Sequence, residues 1–228
     1  GLKSGIPVPE GAEGGGKIYP YKWGNCYNHT AIGLFARSKG DVNNLVLDGS
    51  ITFSNISDRV SAGGLAAMLE KNANAKLSGL TVKEKITADA PNGKYLYVGG
   101  VYGYATVGNP KKETIELEIT DDSKIQPEIK VQKVTQTSDK NVYVGGVLGY
   151  TGEGFHRLRC TGVTIGGSIT VSGDNYNYAY VGGLIARTNR SLILSRIEIE
   201  KLSYDGFEIN APNAKKICGG LFGSLWYN

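Results

Sequence analysis

A glycine pair that returns every few tens of residues constrains this chain more than any other feature. Its clearest copy is the stretch 141–150, NVYVGGVLGY. With the second glycine of the pair as anchor, the copies fall at Gly64, Gly100, Gly146, Gly183 and Gly220, and Gly33 marks a degenerate copy in which Ile32 stands for the first glycine. The steps between anchors are 31, 36, 46, 37 and 37 residues. A branched apolar residue follows each anchor (Leu34, Leu65, Val101, Val147, Leu184, Leu221), and two positions later only small residues occur (Ala36, Ala67, Gly103, Gly149, Ala186, Gly223). Two residues before the anchor the column reads Ala31, Ala62, Val98, Val144, Val181 and Cys218. Agreement in size and polarity at three separate positions marks a structural repeat.

A second element follows each anchor. The stretches 160–171 (CTGVTIGGSITV) and 77–88 (LSGLTVKEKITA) superpose without a gap, and 42–53 (VNNLVLDGSITF) has the same spacing. Each reads as an alternating apolar pair such as Val163 and Ile165, three residues of turn, and a second pair such as Ile169 and Val171, the period of two short strands. The third copy spreads the same pattern over Ile115, Leu117 and Ile119 and then Ile129 and Val131, so insertions are expected in corners and not in strands.

A repeat of three short strands and no helical segment cannot bury its apolar face alone, so its copies must stack. The fold expected is all-β, a right-handed parallel β-helix of about five to six coils, in which equivalent residues lie one above another at about 4.8 Å. Five to six coils make a rod of roughly 25 Å. The competing architecture is a β-propeller of the kelch kind, whose strands also end in glycine pairs. Such blades run to about 50 residues and carry a tyrosine and a tryptophan at fixed offsets, whereas the only tryptophans here, Trp23 and Trp226, lie outside the repeat pattern.

The strings VGGVYGY, VGGVLGY, AGGLAAM, VGGLIAR and CGGLFGS resemble the Gly-Leu-x-Gly core of the GLUG motif, a repeat of bacterial cell-surface and adhesin-like proteins. The resemblance covers most of the chain after about residue 30. It implies a repeat-built β structure displayed outside the cell, and it brings no active site and no cofactor.

Composition fits one ordered domain: in 228 residues, 40% are hydrophobic, 20% charged and 33 glycine. The net charge of +4 is small and the basic residues form no run, so a nucleic-acid partner is unsupported. No apolar stretch approaches the roughly 20 residues of a membrane span, and no signal pattern opens the chain. The expectation is a mature extracellular segment whose signal has been removed, with further sequence following Asn228. Residues 1–20, with Pro7, Pro9 and a run of three glycines, read as an arm or linker. Residues 21–228 read as the solenoid, entered through Tyr19, Tyr21, Trp23 and Tyr27 as an aromatic cap on its exposed end.

Few residues invite chemistry. Cys26, Cys160 and Cys218 lie in no metal spacing; Cys160 aligns with Leu77 and Val42, and Cys218 with Val181, so both are expected in the core. His29 and His156 are too few for a zinc site and suit a surface loop or the cap. A polysaccharide-cleaving β-helix enzyme, the rival reading, needs ionisable groups converging from adjacent coils. Asp121 and Asp122 with Glu153 are the candidate carboxylates, and Arg37 and Arg187 share a column but stand four coils apart, roughly 19 Å. More suggestive are the tyrosines: Tyr97, Tyr143 and Tyr180 fill one column and Tyr104 and Tyr150 another. Strict alternation turns them away from the core, where stacked rings would offer an aromatic face to a glycan or a protein partner. The expected function is a non-enzymatic surface module, an adhesin-like binding or stalk segment.

Overall fold

The computed structural model describes residues 29–54, 59–89, 95–107, 112–120, 122–132, 141–173, 178–188, 196–210 and 216–225. The expected N-terminal arm, the aromatic cap, Cys26, Trp226 and Asp121 lie outside these residues. Within them the chain forms strands and no helix, and every strand pairing is parallel and joins one winding to the next. The fold is a β-solenoid.

Each winding crosses four sheets, not three strands. The first sheet holds the strands that end in the glycine pair (His29–Ile32, Arg59–Gly63, Tyr95–Gly99, Asn141–Gly145, Tyr178–Gly182, Lys216–Gly219). The second holds those that follow it (Phe35–Ser38, Ala66–Leu69, Tyr102–Ala105, Leu148–Thr151, Ile185–Thr188, Phe222–Ser224). A third sheet stacks Val42–Asn43, Ala73–Ser78, Ile115–Thr120, Phe155–Thr161 and Arg196–Glu200. The fourth takes the two apolar pairs of each repeat, as two short strands in the first three windings and as the single strands Thr164–Val171 and Ser203–Asn210 in the next two. The three residues expected to turn therefore run on through one sheet.

The stack has about four turns, slightly fewer than the expected five to six coils. The first two sheets do count six strands each, but the terminal windings are partial. The first contributes only the two-residue strands Val42–Asn43 and Val46–Leu47 to the third sheet and the start of the fourth, and the last runs only through the first two sheets.

The glycine pair is required by close approach and not by backbone twist, since no glycine of a pair has a positive φ. A Cβ on Gly99 would collide with the carbonyl oxygen of Tyr102, and one on Gly100 with the carbonyl of Gly146 in the next winding. The first glycine lets the chain fold back, and the second lets successive corners nest. In the first winding the corner is one residue shorter: Ile32 pairs with Ala62 and Phe35 with Ala66, so two residues span what three span above. Ile32, and not Ala31, belongs in the column of Ala62 and Val98, because a whole residue is deleted there and no glycine is replaced.

The turn from third to fourth sheet solves its own problem repeatedly. Asn44, Gly79, Asp122, Gly162 and Lys201 all sit there with φ between 52° and 67°, a left-handed conformation in which Gly, Asn and Asp are the least strained. The next residue plugs the inner corner, as Leu45, Leu80, Val163 and Leu202 do. In the third winding this residue is Ser123, whose buried hydroxyl donates to the Thr120 carbonyl at 2.7 Å and accepts the Leu80 N–H at 3.2 Å.

Two cores result. One lies among the second sheet, the third sheet and the first half of the fourth, with Leu77, Ile119 and Cys160 stacked in it. The other lies between the first sheet and the second half of the fourth, with Val98, Val144, Ile129 and Ile169. At the waist between them the glycine corners meet a column from the fourth sheet that register places as Gly49, Glu84, Pro127, Gly167 and Phe207. Pro127 presses on Gly100 and the Phe207 ring on Gly146, in space that any side chain on those glycines would need.

Candidate functional site

The tyrosine columns are in register as the repeat implies. Tyr97 pairs with Tyr143 and Tyr143 with Tyr180 on the first sheet, and Tyr104 with Tyr150 on the second. They also leave both cores, but all except Tyr150 are buried. Beyond the glycine corner the first two sheets fold toward each other, so that their outer faces close into a wedge. At its apex the small-residue column lies against the first-sheet backbone: a Cβ on Gly149 would stand 2.7 Å from both N and O of Val98. Further out the gap widens and the tyrosines fill it. The expected exposed aromatic face is therefore a buried one, with Tyr97, Tyr104, Tyr143 and Tyr180 only 6%, 6%, 4% and 7% exposed. Tyr150 is half-buried.

Alternation also fails locally on the second sheet. Tyr102 and Ala105 both enter the larger core, while Tyr104 between them joins the wedge cluster and Gly103 faces the Ala62 backbone. The strand shifts by one residue, so two consecutive positions face the wedge.

Inside the wedge the rings stack along the solenoid at near strand spacing. Tyr97 and Tyr143 have centroids 5.1 Å apart, Tyr143 and Tyr180 also 5.1 Å, and Tyr104 and Tyr150 5.4 Å. Across the wedge the two ladders interlock in tilted and edge contacts, Tyr97 to Tyr104 at 4.8 Å and Tyr143 to Tyr150 at 5.2 Å. Tyr95 and Tyr178 extend the cluster toward the mouth, Tyr95 stacking on Tyr97 at 6.2 Å. Arginines occupy faces at the mouth: Arg59 stands 5.0 Å over Tyr95, and Arg187 stands 4.5 Å over Tyr180 and donates to the Tyr143 hydroxyl at 3.5 Å. Burial, reinforced by the neighbouring phenols, holds the Tyr97 hydroxyl well above the usual tyrosine range. Burial also raises Tyr143, with Arg187 pulling the other way.

The remaining candidates do not assemble. Asp122 sits in the left-handed corner at one end of the third sheet. Glu153 lies in the turn before that sheet, where its carbonyl accepts the Val107 N–H at 3.0 Å. A six-residue strand, roughly 20 Å, separates the two levels. Arg37 and Arg187 do share a column, through Met68, Tyr104 and Tyr150, and Arg37 pairs with Glu70 at 3.3 Å. Cys160 is in the core, as expected, and burial pushes its thiol up to about 12. Cys218 keeps register with Val181 but is exposed, because no further described winding covers it. His156 is not in a loop: it sits in Phe155–Thr161 at a bulge, half-buried, its Nε2 without a hydrogen-bond partner. Of His29 only the backbone pairing, with Arg59, is described. Among the described residues no cluster of His, Cys, Asp or Glu suits a metal ion, and no helix is long and apolar enough to cross a membrane.

Charged ladders on the third sheet were not singled out from the sequence. Lys76, Glu118, Arg159 and Glu198 alternate in sign up one column. Glu198 gathers Arg157 at 2.7 Å, Arg196 at 3.0 Å and Arg159 at 3.7 Å. The signal was available: once 77 is aligned with 160, the outward residues between the apolar ones fall into these columns. Compared with known proteins, the chain matches no family model, no curated protein and no solved structure.

Proposed function

We propose that this chain is a non-enzymatic repeat module displayed at the cell surface, built like the GLUG-motif segments of adhesin-like bacterial proteins and serving as a stalk or spacer. One observation carries the spacer over the binding module: the ring faces of the tyrosine ladders are used up. A sugar ring stacks on an open aromatic face. Here each ring of the two ladders packs against other tyrosines, and Arg59 and Arg187 lie over the outer faces of Tyr95 and Tyr180. Such an array stiffens two sheets against each other.

The binding version has one feature in its favour. Arg59, Arg187, Tyr150 and Tyr178 are only half-buried at the wedge mouth, so part of each meets solvent. A glycan array of neutral and acidic oligosaccharides, followed by titration calorimetry on any hit, separates the two. The spacer reading expects no sugar retained with a dissociation constant below about 1 mM, near the weak end of specific association. A hit abolished in Arg59→Ala and Arg187→Ala would replace the spacer with a lectin-like module. Turnover of an acidic polysaccharide would replace both with the enzyme.

A further inference from the structure

The fourth sheet carries a carboxylate at the waist, where its neighbours in the column are a glycine, a proline and, higher up, a phenylalanine. Glu84 stands between Val82 of one core and Ile86 of the other, and it is only 9% exposed. It points at the glycine corner: a Cβ on Gly64 would come within 2.5 Å of its Oε2. That oxygen has no hydrogen-bond partner. The winding above covers it with Pro127, and the winding below offers Gly49, around whose Cβ position there is open space.

Among the described residues, no charge faces it from any element packed there. The corner contributes Gly64 and Gly100, and the strand Arg59–Gly63 turns Val60 and Ala62 inward while Arg59 lies over Tyr95 at the wedge mouth. Glu84 lies in the link between the short strands Thr81–Val82 and Lys85–Asp89, where its neighbours Lys83 and Lys85 are exposed and Lys85 pairs with Glu128 at 3.2 Å. Glu128, in the winding above, is shared with Lys130. Asp48, in the winding below, is exposed. On a charged carboxylate here, Oε2 has lost its water and gained no hydrogen bond in return.

We propose that Glu84 is an acid-tightened latch: neutral, it seals the waist and holds the first winding, residues 29–54, against the second, and on ionising it draws water into the waist and eases that winding away. The geometry selects this winding because Gly49 leaves the underside of Glu84 open. Two of its five pairings to the second winding are also only two residues long. Burial raises the Glu84 carboxyl from 4.5 to about 7. A carboxyl raised in the folded state gives stability that is complete below its unfolded value and is lost as pH climbs to its folded one. The latch therefore loosens between about pH 4.5 and 7 and changes no further above that.

The test is hydrogen exchange in the full chain, corrected for intrinsic rates, at the amides of Lys83 and Lys85, which donate to Leu47 and Gly49 of the first winding at 2.8 and 2.9 Å. Protection should fall as pH rises from 5 to 7, by as much as about tenfold per pH unit, and then level off. In Glu84→Gln, which keeps the shape and cannot ionise, it should be flat. A flat wild-type profile, or the same fall in the Gln variant, overturns the proposal. Should that variant not fold, the carboxyl carbon resonance of Glu84 in the wild-type chain decides: a midpoint near 7 supports the latch, and one below 5 overturns it.

Discussion

Gly146 and Gly220 occupy the same place in the repeat and should respond differently to one methyl group. A Cβ on Gly146 would strike the Gly183 carbonyl and come within 2.8 Å of the Phe207 ring, whereas a Cβ on Gly220 meets nothing within 4 Å. Backbone cannot yield as a side chain can, so Gly146→Ala should cost about 3 kcal/mol, the upper end of ordinary overpacking. Gly220→Ala, at a residue with an ordinary φ, should cost little or even stabilise slightly by restricting the unfolded chain. Urea unfolding of the two variants beside wild type checks both, and equal losses would mean that the glycines serve the turn and not the nesting of windings. The repeat made the anchor positions legible, because close approach leaves glycine as the only acceptable residue. Glu84 was not legible, since Lys83, Glu84 and Lys85 together read as a solvated turn. Only alignment with Pro127 and Phe207 betrays that the middle residue points inward.

At the scale of the strand, columns were readable and their destinations were not. Alternation says that Tyr97 points away from Val98. It is silent on whether that side meets water or another sheet, and the closing of the first two sheets is set by the glycine corner and the small-residue column together. The wedge makes two predictions. Tyr143→Ala removes a ring that stacks on Tyr97 and Tyr180 and meets Tyr150 edge-on, and should cost about 3 to 5 kcal/mol, as large aromatic deletions in a core do. Tyr143→Phe keeps the stack and should cost less than about 1.5 kcal/mol, the scale of one hydrogen bond; an exposed binding face would make both substitutions nearly silent. The second prediction concerns alkali. Because burial raises the Tyr97 and Tyr143 phenols, the unfolded chain gives up those protons first, and stability must fall as pH climbs past the ordinary tyrosine value of about 10. Ultraviolet titration should then show that the Tyr97 and Tyr143 phenols ionise only in step with loss of the β signal in circular dichroism. Smooth titration of both in the folded chain would place the ladders in water.

For the molecule as a whole, a stack in which each winding touches only its neighbours holds its stability as a sum of local and nearest-neighbour terms. The ends have one neighbour where the middle has two. Burial follows that rule: Val98, Val144, Leu148 and Ile165 in the middle are fully buried, whereas Phe35 and Val46 near one end and Tyr204 and Leu225 near the other are 50%, 63%, 46% and 49% exposed. Since local opening needs only the contacts it breaks, the windings should not open together. Amides that bridge central windings, such as Val101 to Val147 and Val147 to Leu184, should exchange only through global unfolding. Those that hold the terminal windings, such as Asn44 to Ser78 and Ser203 to Val163, should exchange faster by at least about a hundredfold, a difference of roughly 2.7 kcal/mol in opening free energy at 1.36 kcal/mol per factor of ten. Site-resolved hydrogen exchange at fixed pH measures this gradient directly. A profile with equal protection from end to end would mean that the tyrosine wedge, which spans the third to the fifth winding, couples the stack into one cooperative body; a gradient falling from the centre would leave the wedge as a local clamp within a chain that frays winding by winding.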